Sequence, residues 1–185
     1  MKTSTNWIRL LKNSTPCSEI IAVIPASGTG GRFGGPKVDA RIGTETFAGR
    51  ISATLRKAGL ERIHIARDLN TPDMLATLRL ALQEARTPEA KACLVFPVDH
   101  PFVKPETVNS LCAAWQARPE AVFRPAYQGR PGHPVLIPLW LDLLADDQGC
   151  GLAGIIRSQA CSVIDVPVDD EAVLHNVNYP SDLEV

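Results

Sequence analysis

Glu19-Ile-Ile-Ala-Val-Ile-Pro25 leads without a break into Ala26-Ser-Gly-Thr-Gly-Gly-Arg-Phe-Gly-Gly-Pro-Lys37. Ile and Val at consecutive rather than alternating positions predict a strand covered on both faces, as in a parallel sheet. The thirteen residues from Pro25 to Lys37 contain five glycines. Few side chains then stand between the backbone N–H groups and a ligand, and consecutive N–H groups in such a loop form an anion-binding concavity. Arg32 and Lys37 add two cations to the same segment, which suits a polyphosphate better than a plain linker. Two common phosphate motifs do not fit. A P-loop needs Gly before its Lys and Ser or Thr after it, whereas Pro36 and Val38 flank Lys37. A dinucleotide fingerprint begun at Gly28 needs Gly where Phe33 stands.

Outward from this segment, apolar runs alternate with helical patterns. Phe47, Ile51, Leu55 and Ala58 recur at helical spacing, with Gly59 where a helix would end. Arg62 to Ala66 reads as a second strand. Thr71-Pro72-Asp73 reads as N-cap, first-position proline and first-turn acid of a helix striped by Met74, Leu78 and Leu82. Ala92 to Pro97 is a third strand, and Pro105 opens a helix carrying Val108, Leu111 and Trp115. The β-like runs Ala121 to Ala126 and Pro134 to Ile137 flank Tyr127-Gln-Gly-Arg-Pro-Gly-His133, a broad hairpin or a site rim. Leu139 to Leu144 and Leu152 to Arg157 read as short helices, Ser162 to Val168 as the last strand, and Pro180 to Leu183 as the start of a terminal helix. This alternation predicts an α/β fold of three layers, a mostly parallel sheet with helices on both faces. Residues 1–18, with Trp7, Ile8 and Leu10, read as an N-terminal extension, and residues 19–185 as one domain.

The chain has 185 residues, 45% of them hydrophobic, enough for a sizeable core without disulfides or a structural metal. Lys plus Arg number 19 and Asp plus Glu 20, for a formal net charge of −1. Nucleic-acid binders draw most of their affinity from a basic excess, which this composition lacks, so no nucleic-acid partner is expected. Cys17, Cys93, Cys112, Cys150 and Cys161 are odd in number and contain no Cys-x-x-Cys pair, which predicts reduced thiols in a cytoplasmic protein. Residues 1–18 lack the continuous apolar stretch of a signal peptide. Pro134 to Ala145 is too short for a membrane span and contains Asp142. No membrane association is expected.

The glycine-rich loop resembles the signature of the MobA-like nucleotidyltransferases, Leu-Ala-Gly-Gly-x-Ser-x-Arg-Met-Gly followed by Lys. Pro25, Ala26, Ser27 and Gly28 occupy its opening, Arg32-Phe33-Gly34 its Arg-Met-Gly and Lys37 its lysine. Ser27 stands where the family has Gly, and Gly30 where Ser is usual. The opening Ile24-Pro-Ala-Ser-Gly28 is also similar to the cytidylyltransferases of isoprenoid synthesis. Phe96-Pro-Val-Asp99-His-Pro101 matches the family's Pro-x-Asp-x-Pro segment, placed at a strand's C-terminal end, where an open α/β sheet binds its ligand. Tyr127 to Leu136 resembles the Tyr-x-Gly-Arg-x-Gly-His-Pro segment of the molybdenum-cofactor cytidylyltransferase branch. The tail His175-Asn-Val-Asn178-Tyr-Pro-Ser-Asp182-Leu183 resembles two variants of the family, the cytidylyl Asp-Ile-Asp-Thr-Pro-Glu-Asp-Leu and the guanylyl Asn-x-Asn-Thr-Pro-Glu-Asp-Leu, and carries the asparagines of the second. Gly151 stands where the family carries an arginine, and the chain is locally shortened around Asp68 to Met74.

The resemblance covers about residues 19–185 and implies a Rossmann-like domain of the nucleotide-diphosphosugar transferase type. It implies transfer of a nucleoside monophosphate, CMP from CTP in first place, to a phosphorylated small-molecule acceptor such as molybdopterin, with release of pyrophosphate. Pro25, Ala26, Ser27, Gly28, Lys37 and Asp99 would then bind the nucleotide, Lys37 and Arg32 would offset its charge, and Asp99 with Asn178 would hold Mg²⁺. His133 would contact the acceptor or brace the rim. Two alternatives stay open: another NTP, GTP above all, with a different phosphate acceptor, or a nucleotide-binding protein without turnover.

Overall fold

The computed structural model describes residues 18–27, 35–145 and 149–183. Among these residues nine strands, β1 (Ile20–Pro25), β2 (Arg41–Ile42), β3 (Glu45–Thr46), β4 (Ile63–Ala66), β5 (Ala92–Val95), β6 (Val122–Tyr127), β7 (Arg130–Pro131), β8 (Val135–Pro138) and β9 (Val163–Pro167), are interleaved with four helices. These are α1 (Phe47–Lys57), α2 (Met74–Ala85), α3 (Pro105–Ala117) and α4 (Gly151–Ser158). The main sheet has the order β4-β1-β5-β8-β6-β7, with β9 beside β6. β1 runs parallel to β4 and β5, and β6 parallel to β9, while β8 is antiparallel to both β5 and β6. The sheet is therefore mostly parallel, and the fold is a three-layer α/β architecture.

β1 is buried at every position, as its unbroken apolar run predicts. Its residues divide by parity. Ile20, Ala22 and Ile24 pack with Phe47, Ile51 and Leu55 of α1 and Val108, Leu111 and Trp115 of α3. Ile21 and Val23 pack on the opposite face with Leu75, Leu78 and Leu82 of α2 and Leu152, Ile155 and Ile156 of α4. Each fully buried Ile or Leu contributes about 1.5–3 kcal/mol, so both faces of one strand anchor the domain.

The register sets where the site lies. Pro25 pairs beside Ala66, and Val23 beside Val95, so three parallel strands end at one sheet edge and send their loops out together. α1 starts at Thr46, whose hydroxyl accepts from the Gly49 N–H at 3.0 Å. It closes at Ala58, after which Gly59 takes φ +82°.

Several local expectations shift. Asp73, not Thr71, caps α2, accepting from the Ala76 N–H at 2.8 Å, because the Thr71 hydroxyl is engaged with other side chains. Leu139 to Leu144 forms turns rather than a helix. There Asp142 accepts from the Leu144 N–H through its own carboxylate, and the Gln159 amide bridges the Asp142 backbone N–H and carbonyl. Pro180–Leu183 is one 3-10 turn, and a second spans Glu171–Leu174. The predicted broad hairpin is tight: Gln128 (φ +49°) and Gly129 (φ +77°) make the two-residue connection between β6 and β7. β2 and β3 form a further small hairpin that the periodicity did not predict. No helix among the described residues is long and apolar enough to cross a membrane.

Candidate functional site

The segments that follow β1, β4 and β5 leave the sheet at one end, where Val177 and Asn178 contact Asp99 and Lys37. Lys37 lies in a turn in which Asp39 and Ala40 donate back to the carbonyls of Pro36 and Lys37. Its ammonium donates to Asn178 Oδ1 at 2.6 Å and stands 3.5 Å from Asp99 Oδ2. The Lys37 and Asp99 side chains are 16% and 25% exposed, sheltered enough to hold a geometry yet open to a ligand. Asp99 follows β5 in a turn closed by His100 N–H to the Pro97 carbonyl, and its own carbonyl accepts from Val177 N–H at 2.7 Å. Asn178 is held in turn by Asp182, whose carboxylate accepts from the N–H groups of Asn178 and Tyr179 at 2.8 and 2.9 Å. The Tyr179 N–H first and the Asn178 N–H second keep the Asp182 carboxyl below its ordinary range.

A carboxylate oxygen and an amide oxygen thus converge on one cation. Both are hard donors, the class that Mg²⁺ and Mn²⁺ accept, so the pair fits a divalent ion completed by phosphate oxygens and water. Among the described residues no cluster of three or more His, Cys, Asp or Glu side chains could hold a metal by itself.

Behind Asp99 lies a histidine pair. The His100 and His133 rings are 4.9 Å apart, tilted by 50°, and His100 Nε2 stands 3.8 Å from Asp99 Oδ1, beyond hydrogen-bond reach. Burial lowers His100 to about 4 against the opposing pull of Asp99, and burial likewise lowers His133. Both rings are neutral near pH 7, so Asp99 draws its compensating charge from Lys37. The Nδ1 atoms of both rings are buried without a hydrogen-bond partner.

His133 is placed by its neighbour. A Cβ on Gly132 would stand 2.2 Å from the Val173 carbonyl oxygen, so only glycine fits there, and His133 N–H donates to that same oxygen at 2.9 Å. The 3-10 turn carrying Val173 is pinned by Asp170, a buried carboxylate accepting from Lys104 N–H, Thr107 Oγ1 and Ala172 N–H. The Gly132-His133 step is therefore rigid.

A cavity of about 320 Å³ opens beside Lys37 and Asp99, lined also by Pro25, Ala26, Ser27, Thr71, Asp73 and Thr77. Of the residues singled out in the sequence, Pro25, Ala26, Ser27, Lys37 and Asp99 line this cavity, and Asn178 reaches it through Lys37. His133 sits behind Asp99 and does not line the cavity. Arg32 and Gly28 fall outside the described residues. The sequence reading missed Thr71, Asp73 and Thr77 as cavity residues and His100 as the partner of His133. The signal was present for the first three, since they follow the C-terminal end of a parallel strand.

The model of the MobA-like NTP transferase domain matches residues 22–160. No curated protein sequence matches significantly. Among solved structures, the homologue of Mycobacterium tuberculosis rv0371c from Mycobacterium sp. strain JC1 superposes with TM-score 0.74 at 21% identity, over 90% of this chain and 94% of that one. The 2-C-methyl-D-erythritol 4-phosphate cytidylyltransferase of Thermus thermophilus gives TM-score 0.68 at 20% identity, over 90% and 96%. Rv0371C of M. tuberculosis H37Rv in complex with manganese gives 0.69 at 20%, over 90% and 97%. At these identities the likeness is one of fold.

Proposed function

The chain belongs to the MobA-like NTP transferase family, and on that premise we propose that it transfers a nucleoside monophosphate from an NTP to a phosphorylated acceptor. A terminal phosphate oxygen of the acceptor attacks the α-phosphorus, the bond from that phosphorus to the bridging oxygen breaks, and pyrophosphate leaves with the electron pair. The acceptor oxygen is already a nucleophile, so the protein's task is placement and charge stabilisation. The observation that carries this reading is the convergence of Lys37, Asp99 and Asn178 at the mouth of one cavity.

In this reading Pro25, Ala26, Ser27 and Gly28 bind the nucleotide, and the amides of the glycine-rich segment hold its triphosphate. Lys37, released from Asn178, meets the charge that gathers on the leaving pyrophosphate, assisted by Arg32. Asp99 and Asn178 hold Mg²⁺, and a bound divalent ion would polarise the phosphate oxygens. The manganese complex of Rv0371C supports divalent-ion use within this fold. Residues 19–185 form the transferase domain, with residues 1–18 as an extension. CTP is the favoured donor and molybdopterin the favoured acceptor, because the segment around Gly132-His133-Pro134 resembles the cytidylyl branch. His133 contributes on the acceptor side by bracing the rim.

Pyrophosphate release from each of the four NTPs, with molybdopterin and Mg²⁺, tests the proposal. CTP is expected to give the highest kcat/KM. A GTP preference would favour the second reading, which the neutral amide of Asn178 and the Asn176-Val-Asn178 pattern support. Tight NTP binding without pyrophosphate release would leave a nucleotide-binding protein.

A further inference from the structure

We infer that the hydroxyl cluster of Ser27, Thr71 and Thr77 reads the nucleobase and selects one that presents an amino group, cytosine over uracil; this rests on the nucleotidyl-transfer reading above. Ser27 Oγ lies 3.1 Å from Thr71 Oγ1 and 2.5 Å from Thr77 Oγ1, and the two threonine oxygens are 2.6 Å apart. Thr77 Oγ1 also stands 3.0 Å from the Asp73 backbone carbonyl, which can only accept.

Three hydroxyl hydrogens thus serve four contacts. Because that carbonyl can only accept, Thr77 donates to it, and Ser27 and Thr71, at 2.5 and 2.6 Å, both donate to Thr77. This arrangement consumes every hydrogen inside the cluster, and only oxygen lone pairs remain for the cavity. Thr77 is 1% exposed and makes the buried apex, while Ser27 and Thr71 are half-buried and line the cavity. Asp73, on the same wall, spends Oδ1 on the Ala76 N–H, and its carboxylate has no hydrogen to give. The wall accepts hydrogen bonds and donates none.

The same cavity is charged at Lys37 and Asp99 and bounded by apolar Pro25, Pro72, Met74 and Val98. A nucleotide places its phosphates at the charged end, which leaves the hydroxyl wall and the apolar surfaces to the base. Cytosine offers an amino group at the ring position where uracil offers a carbonyl oxygen. An oxygen set against lone pairs leaves both sides unsatisfied, the kind of mismatch on which sites built for one hydrogen-bonding pattern discriminate.

Calorimetric titration of the full chain with CTP and with UTP, in the presence of Mg²⁺, tests this. Wild type should bind CTP at least about tenfold more tightly than UTP. Thr77→Val keeps the side-chain shape but removes the shared acceptor, so the Ser27 and Thr71 hydrogens can turn toward the cavity. The CTP/UTP affinity ratio should then fall toward one, with UTP gaining. Thr71→Ala, at a half-buried position, should lower the same ratio through loss of CTP affinity, and it serves if Thr77→Val does not fold. Equal binding of CTP and UTP by wild type, or a ratio unmoved in the folded variants, would overturn the inference while nucleotide binding stands. Failure of both nucleotides to bind would overturn the CTP-dependent reading and the inference together.

Discussion

Lys37 Nζ and Asn178 Oδ1 meet at 2.6 Å across 141 positions of sequence. The contact joins the turn that carries Lys37 to the segment just ahead of the 3-10 turn Pro180–Leu183. An ammonium hydrogen-bonded to a neutral amide and 3.5 Å from the Asp99 carboxylate is held in place but still free to exchange partners when phosphate arrives.

Replacing Lys37 by Ala should lower kcat by about 10²-fold, roughly 2.7 kcal/mol, with a much smaller change in nucleotide affinity. A cation near the breaking bond meets more charge in the transition state than in the bound substrate. Steady-state pyrophosphate release and NTP titration separate the two effects. A raised KM with unchanged kcat would make Lys37 a ground-state anchor only.

Asp99→Ala should abolish metal-dependent turnover and leave the fold intact, because Asn178 would remain as a single neutral oxygen donor. A titration of activity against Mg²⁺, alongside circular dichroism, checks this. Activity within a few-fold of wild type at limiting Mg²⁺ would remove Asp99 from the metal site.

Stability should fall as the solution is acidified from pH 6.5 toward 4. His100 binds its proton near 6.5 when unfolded and only near 4 when folded. Between those values the unfolded chain holds more protons, so each pH unit costs up to about 1.4 kcal/mol for one full proton. The contribution is intact above pH 6.5 and fully lost below pH 4, and His133, lowered by burial too, adds with the same sign. Urea midpoints measured across this window should slope in wild type and slope less in His100→Gln.

Gly132→Ala should destabilise the domain by about 1–3 kcal/mol, the range for forcing extra volume into a packed site. The added methyl would meet the Val173 carbonyl oxygen at 2.2 Å, a backbone atom held by the turn that Asp170 pins. Gly35→Ala, which meets nothing within 4 Å, is the control and should leave the urea midpoint nearly unchanged.

Much of this was determined by local sequence. The consecutive Ile and Val residues of β1 require burial on both faces, and the sheet supplies a core on each. Gln128-Gly129 encodes a turn with two positive φ angles, and Gly59 encodes the stop of α1. Such features depend on a residue and its immediate neighbours. The β8 orientation, the turns at 139–145 and the role of Thr71 do not. Thr71 in isolation is a good helix cap, but the parallel pairing of β1 with β4 brings Ser27 beside it and Thr77 takes its hydrogen bond, so Asp73 caps α2 instead. Likewise Leu139 to Leu144 has helical spacing, yet the Gln159 amide, delivered by α4, occupies the Asp142 backbone groups. The meeting of Lys37, Asp99 and Asn178 belongs to the same class. A side chain's local preference is worth a kilocalorie or so, and tertiary packing, which buries many groups at once, decides which preference survives.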